Sequence, residues 1–258
     1  MYNYLFMLSM VTFNNYVKAI HKVQKFEKYM EEKYMDEKYT EEKYTETMTR
    51  IKNDIPPDYT SEWAFPRRIE FINKYGWCLV SDEAIQFIVK ITLEFGGSLL
   101  SVGSGDLAVV ESLLAFFDGI EVYATDDFSS HGSTKRRPVF SDSPLMNEED
   151  KENTVHDLDA ITAINRFVTR VLFLGWPPMS SMAVDAAKAF RLRHEESECT
   201  DPIVLIFWGE GEYGCNADQN FFAELGLHWE EYSECETLRF GGIYDSLRVY
   251  IFYPKINM

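Results

Sequence analysis

The stretch from Ser98 to Asp126, SLLSVGSGDLAVVESLLAFFDGIEVYATD, runs in order through an apolar segment, a glycine turn, a helical repeat, a second apolar segment and a terminal acid. Leu99, Leu100 and Val102 suit a short parallel strand buried on both faces. Gly103 and Gly105 then allow the backbone to turn tightly beneath a ligand. Val109, Val110, Leu113, Leu114 and Phe117 recur at helical spacing, which predicts a helix whose positive end points at that ligand. After Gly119, Ile120 to Ala124 reads as a second strand that delivers Asp126 to the place where a ribose presents its hydroxyls. A glycine fingerprint alone is weakly specific. Strand, helix and acid in the right order around it predict half of a nucleotide-binding Rossmann unit.

Two cofactors fit the turn. Taken as Gly103, Gly105 and Ala108, it matches the dinucleotide pattern G-x-G-x-x-G/A and favours NAD. Taken as Gly103, Gly105 and Leu107, it resembles the first motif of class I S-adenosylmethionine-dependent methyltransferases, with Leu107 where a third glycine is frequent. The segment RVLFLGWPPMSSM, Arg170 to Met182, bears on the choice. Val171 to Leu174 predicts a strand, and the prolines that follow cannot continue a ladder, so they form a rigid loop at the sheet edge where ligands bind. This segment resembles amino-methyltransferases, whose fourth strand ends in Asn/Asp-Pro-Pro-aromatic. In those enzymes the polar side chain and a prolyl carbonyl hold the target amine. Trp176 replaces the Asn or Asp here, which keeps the backbone and removes the side-chain acceptor. The chain is also similar to a methyltransferase-like group that joins five motifs. They appear here as Gly76-Trp77, Gly103-Ser104-Gly105, Trp176-Pro177-Pro178, Gly209-Glu210 and Gly242-Ile243-Tyr244-Asp245. The bland alternative for Trp-Pro-Pro is a packed loop with a core aromatic.

The remaining elements follow the same architecture. Glu83 to Phe95 reads as a helix leading into the first strand, and Asp201 to Trp208 is the most apolar strand candidate. Phe221, Phe222, Leu225 and Leu227 suggest a helix. Glu234 to Phe240 and Ser246 to Tyr253 read as two closing strands. A C-terminal antiparallel pair marks the methyltransferase variant of the doubly wound sheet. The expected fold is therefore α/β, a Rossmann-like doubly wound and mostly parallel sheet with that pair, plus an N-terminal helical or partly disordered arm.

The arm is expected to span residues 1–60 and the methyltransferase-like domain residues 61–258. Glu27 to Thr45 contains EKYM, EKYM, EKYT and EKYT, a five-residue repeat. On a helix each repeat rotates by about 140°, so its tyrosines spiral and form no single apolar face. A partner-binding role for this arm is the functional alternative to a solvated one. Asn53 to Thr60, with Pro56 and Pro57, reads as a linker. Trp63, Phe65, Arg67, Arg68 and Phe71 are candidates for a cap over the site.

Between the second strand and Trp-Pro-Pro, Phe128 to Arg166 reads as an extended connection interrupted by Pro138 and Pro144, a place for substrate loops or a solvated insertion. His131 is a candidate general base, though an isolated loop histidine is more often inert. Either Asp157 or Asp159 is expected near an adenine. The four cysteines, Cys78, Cys199, Cys215 and Cys235, lack metal-ligand spacing, which suggests a reduced, cytoplasmic protein without structural zinc or disulfides. Leu5 to Phe13 is apolar but too short to span a bilayer, so no membrane association is expected. Net charge is −17, from 42 acidic and 25 basic residues, which disfavours unaided nucleic-acid binding. Lys135, Arg136 and Arg137 form the best local exception.

The resemblance implies methyl transfer from S-adenosylmethionine to an acceptor the sequence does not identify. Gly103, Ser104 and Gly105 would admit the methionine portion and Asp126 would hold the ribose. Trp176, Pro177 and Pro178 would shape the acceptor pocket. Glu210 would either orient the acceptor or bond to backbone. The rival readings are a non-catalytic binding subunit that keeps the fold, for which Leu107 and Trp176 speak, and an NAD-dependent oxidoreductase.

Overall fold

The computed structural model describes residues 38–61, 65–105, 107–129, 155–197 and 200–254. Leu5 to Phe13, most of the five-residue repeat, Trp63, His131, Lys135, Arg136, Arg137, Pro138, Pro144 and Cys199 lie outside the described residues. The chain divides into two units, Met1–Lys43 and Tyr44–Met258, and the second carries the sheet.

In chain order the elements are helices α1 (Lys38–Asp54), α2 (Phe65–Tyr75) and α3 (Asp82–Glu94), strand β1 (Ser98–Val102), helix α4 (Val109–Leu114), strands β2 (Glu121–Asp126) and β3 (His156–Asp157), helix α5 (Ala160–Arg166), strand β4 (Val171–Gly175), helix α6 (Met182–Glu196), strand β5 (Ile203–Gly209), helix α7 (Gln219–His228), and strands β6 (Glu230–Cys235) and β7 (Ser246–Phe252). The sheet has the order β3-β2-β1-β4-β5-β7-β6. Its first five strands are parallel, and β7 inserts antiparallel between β5 and β6. The order runs outward in opposite directions from β1 and β4, so their C-terminal ends form the switch point where open α/β sheets bind ligands.

Alternation along the central strands divides the core in two. Leu99, Val171, Phe173, Val204, Ile206 and Trp208 face α3 and α4, together with Phe71 and Tyr75 of α2. Leu100, Val102, Leu172, Leu174, Leu205 and Phe207 face α5, α6 and α7. Burial on both faces explains why these strands are continuous apolar runs. Side-chain caps set three helix starts: Ser81 for α3, Asp159 for α5 and Asp218 for α7.

Several elements depart from their sequence-based bounds. α4 stops at Leu114, and Phe116 and Phe117 fall in a turn that packs on the core edge. The first closing strand is Glu230–Cys235 and not Glu234–Phe240. Trp229 is buried at the end of α7, Glu230 already pairs with Ile251, and after Cys235 the chain leaves the sheet to carry Phe240 into the core. The Glu residues on β6 suit an edge strand, where charge discourages further pairing. The segment containing Pro56 and Pro57 is a docked turn inside the larger unit. Tyr59 accepts a hydrogen bond from Gly241 N–H at 2.8 Å, and Ile55 and Tyr59 pack on the core. Ahead of it, Met48 and Ile51 of α1 are buried, because Tyr44, Met48, Ile51 and Ile55 share one helical stripe.

Ile51→Ala, which empties a fully buried position, is expected to cost about 2–5 kcal/mol by urea denaturation of the full chain. A loss below about 0.5 kcal/mol would instead place Ile51 on a solvated arm.

Candidate functional site

A cleft of about 1200 Å³ opens at the C-terminal ends of β1 and β4. Its floor is the glycine turn. Gly103 N–H and Ser104 N–H both donate to the Thr125 carbonyl, at 2.9 and 3.0 Å, which ties the turn to the end of β2. Gly103 and Gly105 have φ of +72° and +69°, the left-handed region that favours glycine. A Cβ at Gly105 would meet no atom within 4 Å, so the missing side chain leaves an open cradle. The Asp126 carboxylate closes the arrangement by accepting Gly105 N–H at 2.9 Å and Phe128 N–H at 2.7 Å. A carboxylate offers about four acceptor positions, so capacity for a further donor remains.

Opposite the turn, Trp176 follows β4 with φ of +50°, a conformation costing a bulky residue about 1–3 kcal/mol. The surroundings fix it. Trp176 N–H donates to the Trp208 carbonyl at 2.8 Å, and Ala217 N–H donates to the Pro177 carbonyl at 2.9 Å. The indole stacks on Trp77, with centroids 5.2 Å apart and planes 19° from parallel. Trp77 is 45% exposed, and the Arg68 guanidinium lies 5.8 Å from its ring centroid. Pro178 O in turn accepts Ser180 N–H at 2.7 Å. Both prolyl carbonyls are thus engaged within the protein.

Behind this loop the Glu210 carboxylate accepts Cys215 N–H at 2.8 Å and the Cys215 thiol at 2.9 Å through Oε2, and Tyr244 N–H at 3.0 Å through Oε1. Of its two expected roles, the backbone one is what the structure contains. Burial pushes its pKa up, but the Cys215 thiol and the backbone N–H donors outweigh that and hold it below the usual range. The same contact works in reverse on Cys215, whose thiol is raised to about 11 by burial and by Glu210. Asp245 lies beside Trp176, and its pKa is raised to about 7. Burial dominates; the Trp176 indole works against it, while the Glu210 charge adds to it.

Gly103, Ser104, Gly105, Asp126, Trp176, Pro177 and Pro178 all line the one cleft, whereas Glu210 stands behind it. Asp159 also lines the cleft and caps α5; Asp157 does not reach it. Sequence reasoning assigned no role to Glu111, in the first turn of α4, which is 5% exposed and accepts a hydrogen bond from Ser101 Oγ. Nothing in an apolar repeat distinguishes a buried Glu from a solvated one. Among the described residues lining the cleft there is no Lys, Arg or His, while Glu111, Asp126, Asp127 and Asp159 are acidic.

No protein-family model matches the chain, and no curated protein matches it. Solved structures similar to it include a 1,6-didemethyltoxoflavin-N1-methyltransferase from Burkholderia thailandensis with bound 1,6-didemethyltoxoflavin and S-adenosylhomocysteine, at 14% identity and a TM-score of 0.43, covering 77% of this chain and 92% of that one. A precorrin-6y C5,15-methyltransferase from Geobacter metallireducens has 12% identity and a TM-score of 0.41, covering 68% and 90%. A ribosomal protein L11 methylase from Lactobacillus delbrueckii has 11% identity and a TM-score of 0.39, covering 67% and 78%.

The Asp245 carboxyl supplies a test of this geometry. Folding raises its pKa from the ordinary range to about 7, so its contribution favours the folded state at low pH and is lost as pH rises through that value. Asp245→Asn is therefore expected to gain stability relative to wild type, by roughly 2 kcal/mol, between about pH 5 and pH 8 in parallel urea titrations. A difference that does not vary with pH would mean that Asp245 is solvated.

Proposed function

We propose that the protein is an S-adenosylmethionine-dependent methyltransferase whose acceptor is a planar, uncharged or cationic group. One observation carries this reading: a glycine-turn cleft at the switch point whose described charged lining is entirely acidic. The pyrophosphate of a dinucleotide would meet negative charge and no side-chain cation there, whereas a sulfonium donor brings positive charge that the same surface attracts. The chemical fit is otherwise simple. Ribose hydroxyls need acceptors, which Asp126 offers, and Gly105 leaves room for the ligand to approach the backbone.

Bound in this cleft, the donor supplies an activated methyl group. The protein's task is alignment, which alone contributes several kcal/mol when nucleophile, carbon and leaving sulfur lie in line. Asp126 and the glycine turn form one continuous hydrogen-bonded unit and would fix the nucleoside. Trp176, held by Trp208 and stacked on Trp77, would present an aromatic face to the acceptor. Pro177 O and Pro178 O each already accept one hydrogen bond and Trp176 adds no side-chain acceptor, so acceptor selection would rest on stacking and shape as well as on the remaining carbonyl lone pairs. No protein group near the methyl position is required to take the acceptor proton if it departs to water after transfer.

Calorimetric titration of the full chain is expected to give micromolar binding of S-adenosylmethionine and S-adenosylhomocysteine and none of NAD. Asp126→Ala should weaken S-adenosylhomocysteine at least about 10-fold, the scale of losing charge-assisted hydrogen bonds. Trp176→Ala should leave that affinity within about 2-fold while impairing transfer in a radiolabelled acceptor screen. Binding of NAD alone would overturn the reading, and silence from all three ligands would favour a non-catalytic binding subunit.

A further inference from the structure

The methyl transfer described above makes no use of Glu111, yet its placement is costly. The side chain projects from α4 toward β1, is 5% exposed, and lines the cleft. Ser101 on β1 donates to Oε1. Two further titratable groups face it. Asp126 at the end of β2 adds like charge from one side. Cys78, buried on the segment entering α3, feels the Glu111 charge from the other, together with that of Asp245. Glu111 therefore lies within electrostatic reach of both Asp126 and Cys78, which line the same cleft. Burial of an unpaired carboxylate is strongly unfavourable, and the described lining offers no cationic partner. Burial accordingly raises its pKa to about 7, with Asp126 acting in the same direction and the Ser101 hydroxyl against it.

We infer that Glu111 is a binding residue for a ligand cation, the α-ammonium group of the methyl donor's amino-acid portion, and supplies the counter-ion that the cleft otherwise lacks. The inference rests on the methyl-donor reading. An ammonium beside this carboxyl makes a charge-assisted hydrogen bond and favours its ionised form. Binding then expels the proton that Glu111 holds below about pH 7, so affinity increases with pH up to that point and levels off above it. Asp245 titrates in the same range, and a pH slope that survives in Glu111→Gln belongs to it.

The test compares S-adenosylhomocysteine with 5′-methylthioadenosine, which keeps the nucleoside and sulfur and lacks the amino acid. Titrations of the full chain are run at two pH values below and above neutrality. Glu111→Gln, which preserves size and the Ser101 partner, is expected to weaken S-adenosylhomocysteine by about 10- to 100-fold above neutrality, to remove most of its pH dependence, and to leave 5′-methylthioadenosine within about 2-fold. Equal weakening of both ligands, or of neither, overturns the assignment and makes Glu111 a structural group. Wild-type protein provides a second reading that needs no variant. In buffers of different ionisation enthalpy just below neutral pH, S-adenosylhomocysteine should release a fraction of a proton and 5′-methylthioadenosine none. Zero release for both rules Glu111 out as the anchor while leaving the methyl-donor reading intact. Failure of both ligands to bind the wild type overturns that reading as well.

Discussion

The Trp-Pro-Pro side of the cleft depends on one backbone conformation, that of Trp176 in the left-handed region. Left to itself, a tryptophan there relaxes toward extended or helical backbone, at a gain of about 1–3 kcal/mol. It is held because its neighbours fix several things at once. The β5 carbonyl of Trp208 takes its N–H, Ala217 N–H pins the next carbonyl, and Trp77 covers one face of the ring. The two prolines that follow remove backbone freedom in the unfolded chain as well, which lowers the entropy lost on forming the loop. The result is a rigid aromatic wall at the point where the sheet changes direction.

That wall is buttressed from behind by a carboxylate. Glu210 links the loop after β5 to the turn before β7, through Cys215 and Tyr244, and Asn216 returns a side-chain oxygen to Glu210 N–H at 2.8 Å. Asp245 reaches the same place from the next residue along. Acidic groups thus occupy both the wall and the floor, but under different conditions. Glu210 is surrounded by donors and stays ionised, whereas Glu111 and Asp245 are poor in donors and hold protons to about pH 7. Burial raises all three carboxyls, and only at Glu210 do the donors outweigh it.

Much of this was legible in the sequence, and what was missed has physical causes. β1, β4, β5 and β7 announce themselves because strands buried on both faces are nearly continuous apolar runs, whereas the half-buried β2 is recognised by its place between Gly119 and Asp126. β3 is two residues long and carries no pattern. α6 escaped because its inward face is built largely from Ala183, Ala186 and Ala187, whose small side chains give little contrast with polar neighbours. The Lys/Glu/Tyr repeat drew attention to tyrosine spacing and away from the Tyr44, Met48, Ile51 and Ile55 stripe that joins the core. At the site, the glycine turn, Asp126 and Trp-Pro-Pro were found because each is local. The motif series that includes Gly76-Trp77 and Gly242 to Asp245 names segments that meet at Trp176 without revealing that Trp77 stacks on Trp176 or that Asp245 lies beside it. Glu111 left no trace, since only the tertiary fold turns that face of α4 inward.

The two ends of the cleft are therefore assembled by different kinds of contact. The glycine-turn end is made from β1, β2 and the turn between them, and its side-chain hydrogen bonds join positions no more than 24 apart. The aromatic end draws on segments near residues 68–77, 176–178, 208–217 and 240–245, which meet only when the whole sheet has formed. Substitutions in the loops after β5 and before β7 can reshape the aromatic end while the short-range floor stays in place. In a fold built this way, one end of the cleft can change while the other stays constant, because each end is held by a separate set of hydrogen bonds.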